Sequence, residues 1–179
     1  MRLFVAIEIV PPLRDAIASL RGSLAGVRWT DPLSYHLTLR FIGDVRDRAR
    51  QEDIHHALMA IRAPTCTLSP QGPGVFEQEG GLDRLWIGVA RSDPLMHLQR
   101  KVDTAIRRAA GLQVERRRFL PHVTIGSVAR PPPPVMSAWL TQWGTVPPPP
   151  ADATHFTLFR SLRGPDQPLY DPLAEYPLG

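Results

Sequence analysis

His36-Leu-Thr-Leu-Arg-Phe-Ile-Gly43 is the stretch from which the rest of the chain is read. Polar or charged His36, Thr38 and Arg40 alternate with apolar Leu37, Leu39 and Phe41, the two-residue period of a strand with one buried face. A regular strand presents His36, Thr38 and Arg40 on one side, and Gly43-Asp44 then breaks it. The unit recurs as His122-Val-Thr-Ile125, about half the chain further on, and again as His155-Phe-Thr-Leu158. Three of the six histidines therefore carry a threonine two positions on, in a chain with ten threonines. Each unit sets an imidazole beside a hydroxyl.

Outward from these units the pattern is mixed. Arg2 to Ile9 reads as a strand and Pro11 to Leu24, with Leu13, Ile17, Leu20 and Leu24, as a helix. Arg46 to Arg62 has Ile54, Leu58 and Ile61 at helical spacing. A strand at Cys66 to Leu68 precedes a loop holding Gly72, Gly74, Gly80 and Gly81, and Leu85 to Ala90 returns to strand. Asp93-Pro94 reads as an N-cap with a first-turn proline, opening a helix that stops near Gly111. His122 to Val128 and Thr154 to Leu162 are strands. Between them Val135 to Trp143 is a short helix, bracketed by proline runs at 131–134 and 147–150 that read as stiff surface connectors. The class is α+β. No G-x-G-x-x-G or G-x-x-x-x-G-K-[ST] is present, which argues against nucleotide chemistry through those folds.

Composition is that of a globular protein: 179 residues, 43% apolar and 21% charged. The net charge of +4 suits a polyanionic partner. All but one of the 21 basic residues are Arg, Lys101 being the exception, and guanidinium favours bidentate phosphate contacts. One cysteine, Cys66, forms no intrachain disulfide and no Cys-rich metal site, as in a reducing compartment. The run Leu3 to Val10 is interrupted by Glu8 and closed by Pro11-Pro12, too short and broken for a signal peptide or membrane span. A cytoplasmic monomer is expected.

Opening a cyclic phosphodiester requires a base for water, an acid for the departing ribose oxygen and donors for the phosphoryl oxygens. Two histidines and two threonines supply that set with no metal and no cofactor, because imidazole titrates near neutral pH. A duplicated fold would place His36 and His122, half a chain apart, facing each other; His155 is expected to be a structural histidine or a substrate-side contact. His55-His56 reads as a solvated helix face, and Arg116-Arg117-Arg118 as a basic patch beside the second unit that can guide an RNA backbone.

Together with Arg2-x-Phe4-Val-Ala-Ile7, Val27-Arg-Trp29, Phe119-Leu-Pro-His-Val-Thr-Ile125, Leu158-x-x-Ser161, Tyr170 and Tyr176-Pro-Leu178, these motifs span nearly the whole chain. The sequence resembles the 2H phosphoesterases, and within them the RNA 2′,3′-cyclic phosphodiesterases, also called 2′-5′ RNA ligases. The resemblance implies one bilobal, pseudo-twofold α+β domain over residues 1–179, with two antiparallel sheets flanking a central cleft and helices outside. It implies hydrolysis of RNA 2′,3′-cyclic phosphate ends to 2′-phosphates, with ATP-independent 2′-5′ joining as the reverse. His36 is then the proton donor, His122 the proton acceptor, and Thr38 and Thr124 hold phosphoryl oxygens. The sequence alone does not order the two histidines. Relatives often carry Arg where this chain has Ser127, so Arg40, or else Arg130, is the candidate guanidinium for the phosphate. Two alternatives stay open: a non-catalytic RNA-end or nucleotide-binding module of the same fold, and a phosphodiesterase for another cyclic phosphate.

Overall fold

The computed structural model describes residues 1–142 and 147–179, so the helix end expected at Trp143 lies outside the described residues. In chain order the strands are β1 (Arg2–Glu8), β2 (Val27–Trp29), β3 (His36–Asp44), β4 (Cys66–Leu68), β5 (Pro70–Phe76), β6 (Leu82–Val89), β7 (His122–Ala129), β8 (Ala151–Ala153), β9 (His155–Leu162) and β10 (Leu169–Pro177). The helices are α1 (Leu13–Ser19), α2 (Arg48–Met59), α3 (Asp93–Ala110) and α4 (Pro133–Thr141).

All strand pairing is antiparallel and falls into two lobes. β10-β9-β1-β3 form one, and β7-β6-β5 with β2 on the other side of β7 form the second. A single paired position, Leu37 opposite Val123, joins them through β3 and β7. β4 and β8 make a separate two-stranded sheet. One hydrophobic cluster runs behind both lobes, from Leu3, Val5 and Leu37 to Leu85, Ile87 and Val123. α3 closes it on one side with Leu95, Leu98, Val102 and Ile106, all fully buried and spaced three or four residues apart. The indole of Trp139 in α4, part of the same cluster, donates to the Arg21 carbonyl at 2.8 Å, tying α4 to the chain after α1.

Local chemistry explains where the sequence reading needs correction. The cap of α3 is Ser92, whose hydroxyl accepts from the Leu95 N–H at 3.4 Å; Asp93 sits in the first turn, and Gly111 ends the helix at φ 66° as expected. α1 is shorter than its apolar spacing suggests, ending at Ser19 before Gly22 at φ 72°. Pro133 and Pro134 belong to the first turn of α4, where the missing N–H costs nothing, and not to a connector. The stretch expected to be a glycine loop is largely strand β5. Its Pro70 and Pro73 are tolerated because β5 is an edge strand, and Gly74 is required because a Cβ there would lie 2.1 Å from the Trp86 ring.

The correction that bears most on the site concerns β3. Ala6 pairs with Thr38 but Val5 pairs with Arg40, a bulge that shifts the alternation by one residue. Arg40 is thereby turned off the His36–Thr38 face, and Phe41 takes its place there, 64% exposed.

Candidate active site

β3 and β7 meet back to back in register. Because they run antiparallel with Leu37 opposite Val123, the positions on either side bring His36 across from Thr124 and Thr38 across from His122. Each lobe's imidazole faces the other lobe's hydroxyl across the seam, and a cleft of about 740 Å³ opens over it, with Thr38, Phe41, Phe76, Arg118, Phe119 and His122 among its lining.

Both imidazoles are held in the same way. His36 Nδ1–H donates to the Ser34 carbonyl at 2.8 Å, and His122 Nδ1–H donates to the Leu120 carbonyl at 2.6 Å, two residues back in each case. A carbonyl accepts only from a protonated nitrogen, so Nε2 is left in both rings as the atom free to take or give a proton. The His36 ring packs edge-on against Tyr170 at 4.9 Å and tilted against Phe4 at 5.1 Å. The His122 ring stands edge-on to Phe76 at 4.9 Å and to Trp86 at 5.9 Å.

These walls set the titration. Burial is the largest influence on His36 and pulls its pKa below the ordinary imidazole value; the bond to Ser34 opposes this, the charge of His122 adds to it, and the carboxylate of Glu8 opposes it. Burial also lowers His122, against the Leu120 bond, and there the nearby charge is the cation of Arg84. Besides the charge of His122, His36 feels the carboxylate of Glu8, whereas the charge near His122 is the guanidinium of Arg84.

Glu8 lies between two of the three His-x-Thr units. It pairs with His36 across β1 and β3, while its Oε2 accepts from the buried Thr157 hydroxyl at 3.3 Å and stands 3.4 Å from His155 Nε2. His155 therefore sits on the same face but two strands from His36, and helps to place Glu8. Glu8, His155 and Glu175 have ligand atoms within 4.8 Å of one another, the sole such His and carboxylate group among the described residues. It lies off the seam. His55 is not merely solvated: its Nδ1 is 2.9 Å from the Tyr176 hydroxyl, joining α2 to β10.

Neither arginine proposed for the phosphate is free. Arg40 is 7% exposed, with Nε 3.3 Å from Asp103, Nη1 3.0 Å from Glu115 and Nη2 donating to the Gln113 carbonyl at 2.9 Å. It ties the loop bearing Arg116-Arg117-Arg118 to the strand bearing His36. Arg130 grips Asp83 through Nε and Nη2, both at 2.8 Å, and that contact holds the Asp83 carboxyl down at about 2. The residues that sequence reasoning missed are Glu8, Phe76, Trp86 and Arg84. Only Glu8 left a trace, as an acid interrupting an apolar strand.

Comparison with known proteins agrees with this arrangement. At 28% identity the chain is similar to the RNA 2′,3′-cyclic phosphodiesterase of Thermotoga maritima, over 98% of this chain and 94% of that one. At 30% identity it is similar to the enzyme of the same description from Methanothermobacter thermautotrophicus, over 73% of each. Its fold matches a crystal structure described as a phosphoesterase, with a TM-score of 0.77 and 25% identity over 99% of this chain and 97% of the other. It also matches Escherichia coli LigT in apo form, with a TM-score of 0.75 and 24% identity over 99% and 96%. The family model described as the 2′-5′ RNA ligase superfamily matches residues 9–165, and with paired His-x-Thr strands meeting across one seam, the chain belongs to that superfamily.

Proposed function

We propose that this chain opens 2′,3′-cyclic phosphate ends of RNA to 2′-phosphates, the two lobes acting as one domain around the seam. The observation that carries the reading is the crossed register at Leu37 and Val123, which gives a cyclic phosphate two imidazole nitrogens and two hydroxyls from opposite sides. The names borne by the relatives agree with it. A monomer suffices, because one chain builds the whole site, and the free, buried Cys66 suits a cytoplasmic setting.

In this scheme His122 Nε2 takes a proton from water as the oxygen attacks phosphorus. His36 Nε2–H gives a proton to the departing 3′-oxygen, leaving a 2′-phosphate and a free 3′-hydroxyl. Thr38 and Thr124 donate to the phosphoryl oxygens, on which charge builds during attack. The charges around the two histidines support this order, which the sequence leaves open. Glu8 favours the protonated form of His36 and so an acid; Arg84 favours the neutral form of His122 and so a base. The anionic substrate adds to the first effect when it binds. With a 5′-hydroxyl in place of water the same proton transfers make a 2′-5′ linkage, without ATP, because the strained cyclic ester is the activated group. Phe41, exposed on the cleft wall, offers a face on which a base can stack.

The test is hydrolysis of a short RNA ending in a 2′,3′-cyclic phosphate, in EDTA, by the parent, His36→Ala and His122→Ala, with the product isomer identified. A 2′-phosphate formed by the parent and lost in both variants is the expected result. No turnover by the parent favours a binding module; turnover that survives both substitutions removes the two-histidine scheme.

A further inference from the structure

Beyond Thr124 two arginines flank β7, and of these the proposed chemistry uses only the charge of Arg84 at His122. β7 has a bulge of its own: Trp86 pairs with Thr124, but Leu85 pairs with Gly126 and Arg84 with Ser127. Ser127 is thus returned to the face of His122 and Thr124. On its other side β2 pairs Arg28 with the same Ser127. Residues directly opposite on neighbouring strands share a face, so both arginines stand beside the Ser127 hydroxyl, and both are exposed.

Strands two apart are separated by roughly 9.6 Å, a gap that two guanidinium arms can close around one phosphate. Among the described residues no carboxylate lies within ion-pair distance of Arg84 or Arg28. Arg28 spends one N–H on the Asp166 carbonyl at 3.2 Å, which steadies the arm and leaves most of its fork available. Two like charges flanking one hydroxyl are unfavourable by themselves and become favourable with an anion between them. The charge of Arg84 is felt at His122 and at Tyr170, which touches His36, so it reaches the neighbourhood of both imidazoles.

We infer that Arg84, Arg28 and the Ser127 hydroxyl form a second phosphate subsite, which holds the phosphodiester adjoining the reacting end of an RNA strand. The inference rests on the proposed function and adds a substrate preference to it. Ser127 lies about 7 Å along the strand from Thr124, once the bulged residue is discounted. That is the scale of one nucleotide step. The chain is therefore built to act on polynucleotide ends over cyclic mononucleotides, by contacts that read backbone charge and not base identity.

The experiment compares kcat/KM for a 2′,3′-cyclic mononucleotide, which has only the reacting phosphate, with that for a tetranucleotide ending in the same group. Parent, Arg84→Met and Arg28→Met are measured over a range of salt concentrations. In each variant the preference for the tetranucleotide is expected to fall about tenfold. The slope of log affinity against log salt should shrink by about 0.7 for each arginine removed. Arg84→Met should also lose some activity on both substrates alike, through its charge at His122, and the ratio of the two substrates removes that common loss. A preference that stays at the parent's value in both variants would overturn the inference, since the arginines would then serve only the reacting phosphate or the histidines. Should the parent hydrolyse neither substrate, the proposed function fails by itself. Binding of a tetranucleotide ending in a 2′-phosphate, read for affinity and salt slope in the same variants, still decides the subsite.

Discussion

The strands β3 and β7 are copies in geometry and opposites in chemistry. From the histidine onward both leave the first and third residues half-buried, bury the second and fourth, and then bulge, so that Arg40 and Gly126 are buried while Phe41 and Ser127 return to the face of the histidines. Both histidines give Nδ1–H to the carbonyl two residues back. The partner strands break the symmetry. Phe41 is met by Phe4 of β1, in an aromatic group with Phe159 and Tyr170, whereas Ser127 is met by Arg84 of β6. A repeated backbone thus delivers two equivalent imidazoles in unequal surroundings, and the proposed division into acid and base rests on that inequality.

The largest effects come from deleting the equivalent groups. His36→Ala and His122→Ala should each lower kcat by 10²–10⁴-fold, the usual worth of a general acid or base. The residual activities then separate the roles. With the base gone, the remaining requirement is a protonated His36, so activity in His122→Ala should fall steadily as pH rises. In His36→Ala it should rise with pH as His122 loses its proton. Profiles of the reverse sense would exchange the two assignments.

Next come the two inward residues at the bulges. Arg40→Ala removes a buried cation from Asp103 and from the loop that carries Arg116–Arg118, and should cost about 3 kcal/mol of stability in denaturant unfolding. Because that loop borders the cleft, KM should rise with it. Gly126→Ala places a Cβ 3.0 Å from the Arg28 carbonyl and from Val27 Cγ1, so β2 must give way at a cost of about 1 kcal/mol. Equal effects would mean that the bulges, and not their side chains, are what the fold requires.

The His-x-Thr units were legible because a two-residue period survives in the sequence whatever the strands pair with, and α3 because its apolar stripe, proline and terminal glycine are local. The bulge in β3 was not. Nothing between Thr38 and Arg40 marks it, since it is set by the register against β1. Reading the strand as regular therefore put Arg40 on the face of His36 and Thr38 and left Phe41 in the core. β5 was hidden by Pro70, Gly72, Pro73 and Gly74, residues that a central strand rejects but an edge strand beside Trp86 accepts. Arg84 was hidden for a further reason: its importance comes from what stands opposite on β7 and across the cleft, neither of which is near it in sequence.

The smallest effect tests the asymmetry itself. Glu8→Gln keeps the acceptor for Thr157 but removes the negative charge that favours protonated His36, so the His36 pKa should drop further below the ordinary imidazole value. The acid is then protonated in a smaller fraction of molecules at any pH above that point, and the rate there should fall by about threefold to tenfold. His122, whose pKa is shaped by burial, the Leu120 carbonyl and Arg84, should titrate as before. Arg84→Met is the mirror image. Loss of its cation should raise the His122 pKa, leave His36 in place and reduce the neutral fraction of the base. NMR titration of the two imidazoles in each variant reads these shifts one ring at a time. If both rings move together in both variants, the lobes share a single electrostatic environment, and the division into an acid side and a base side does not hold.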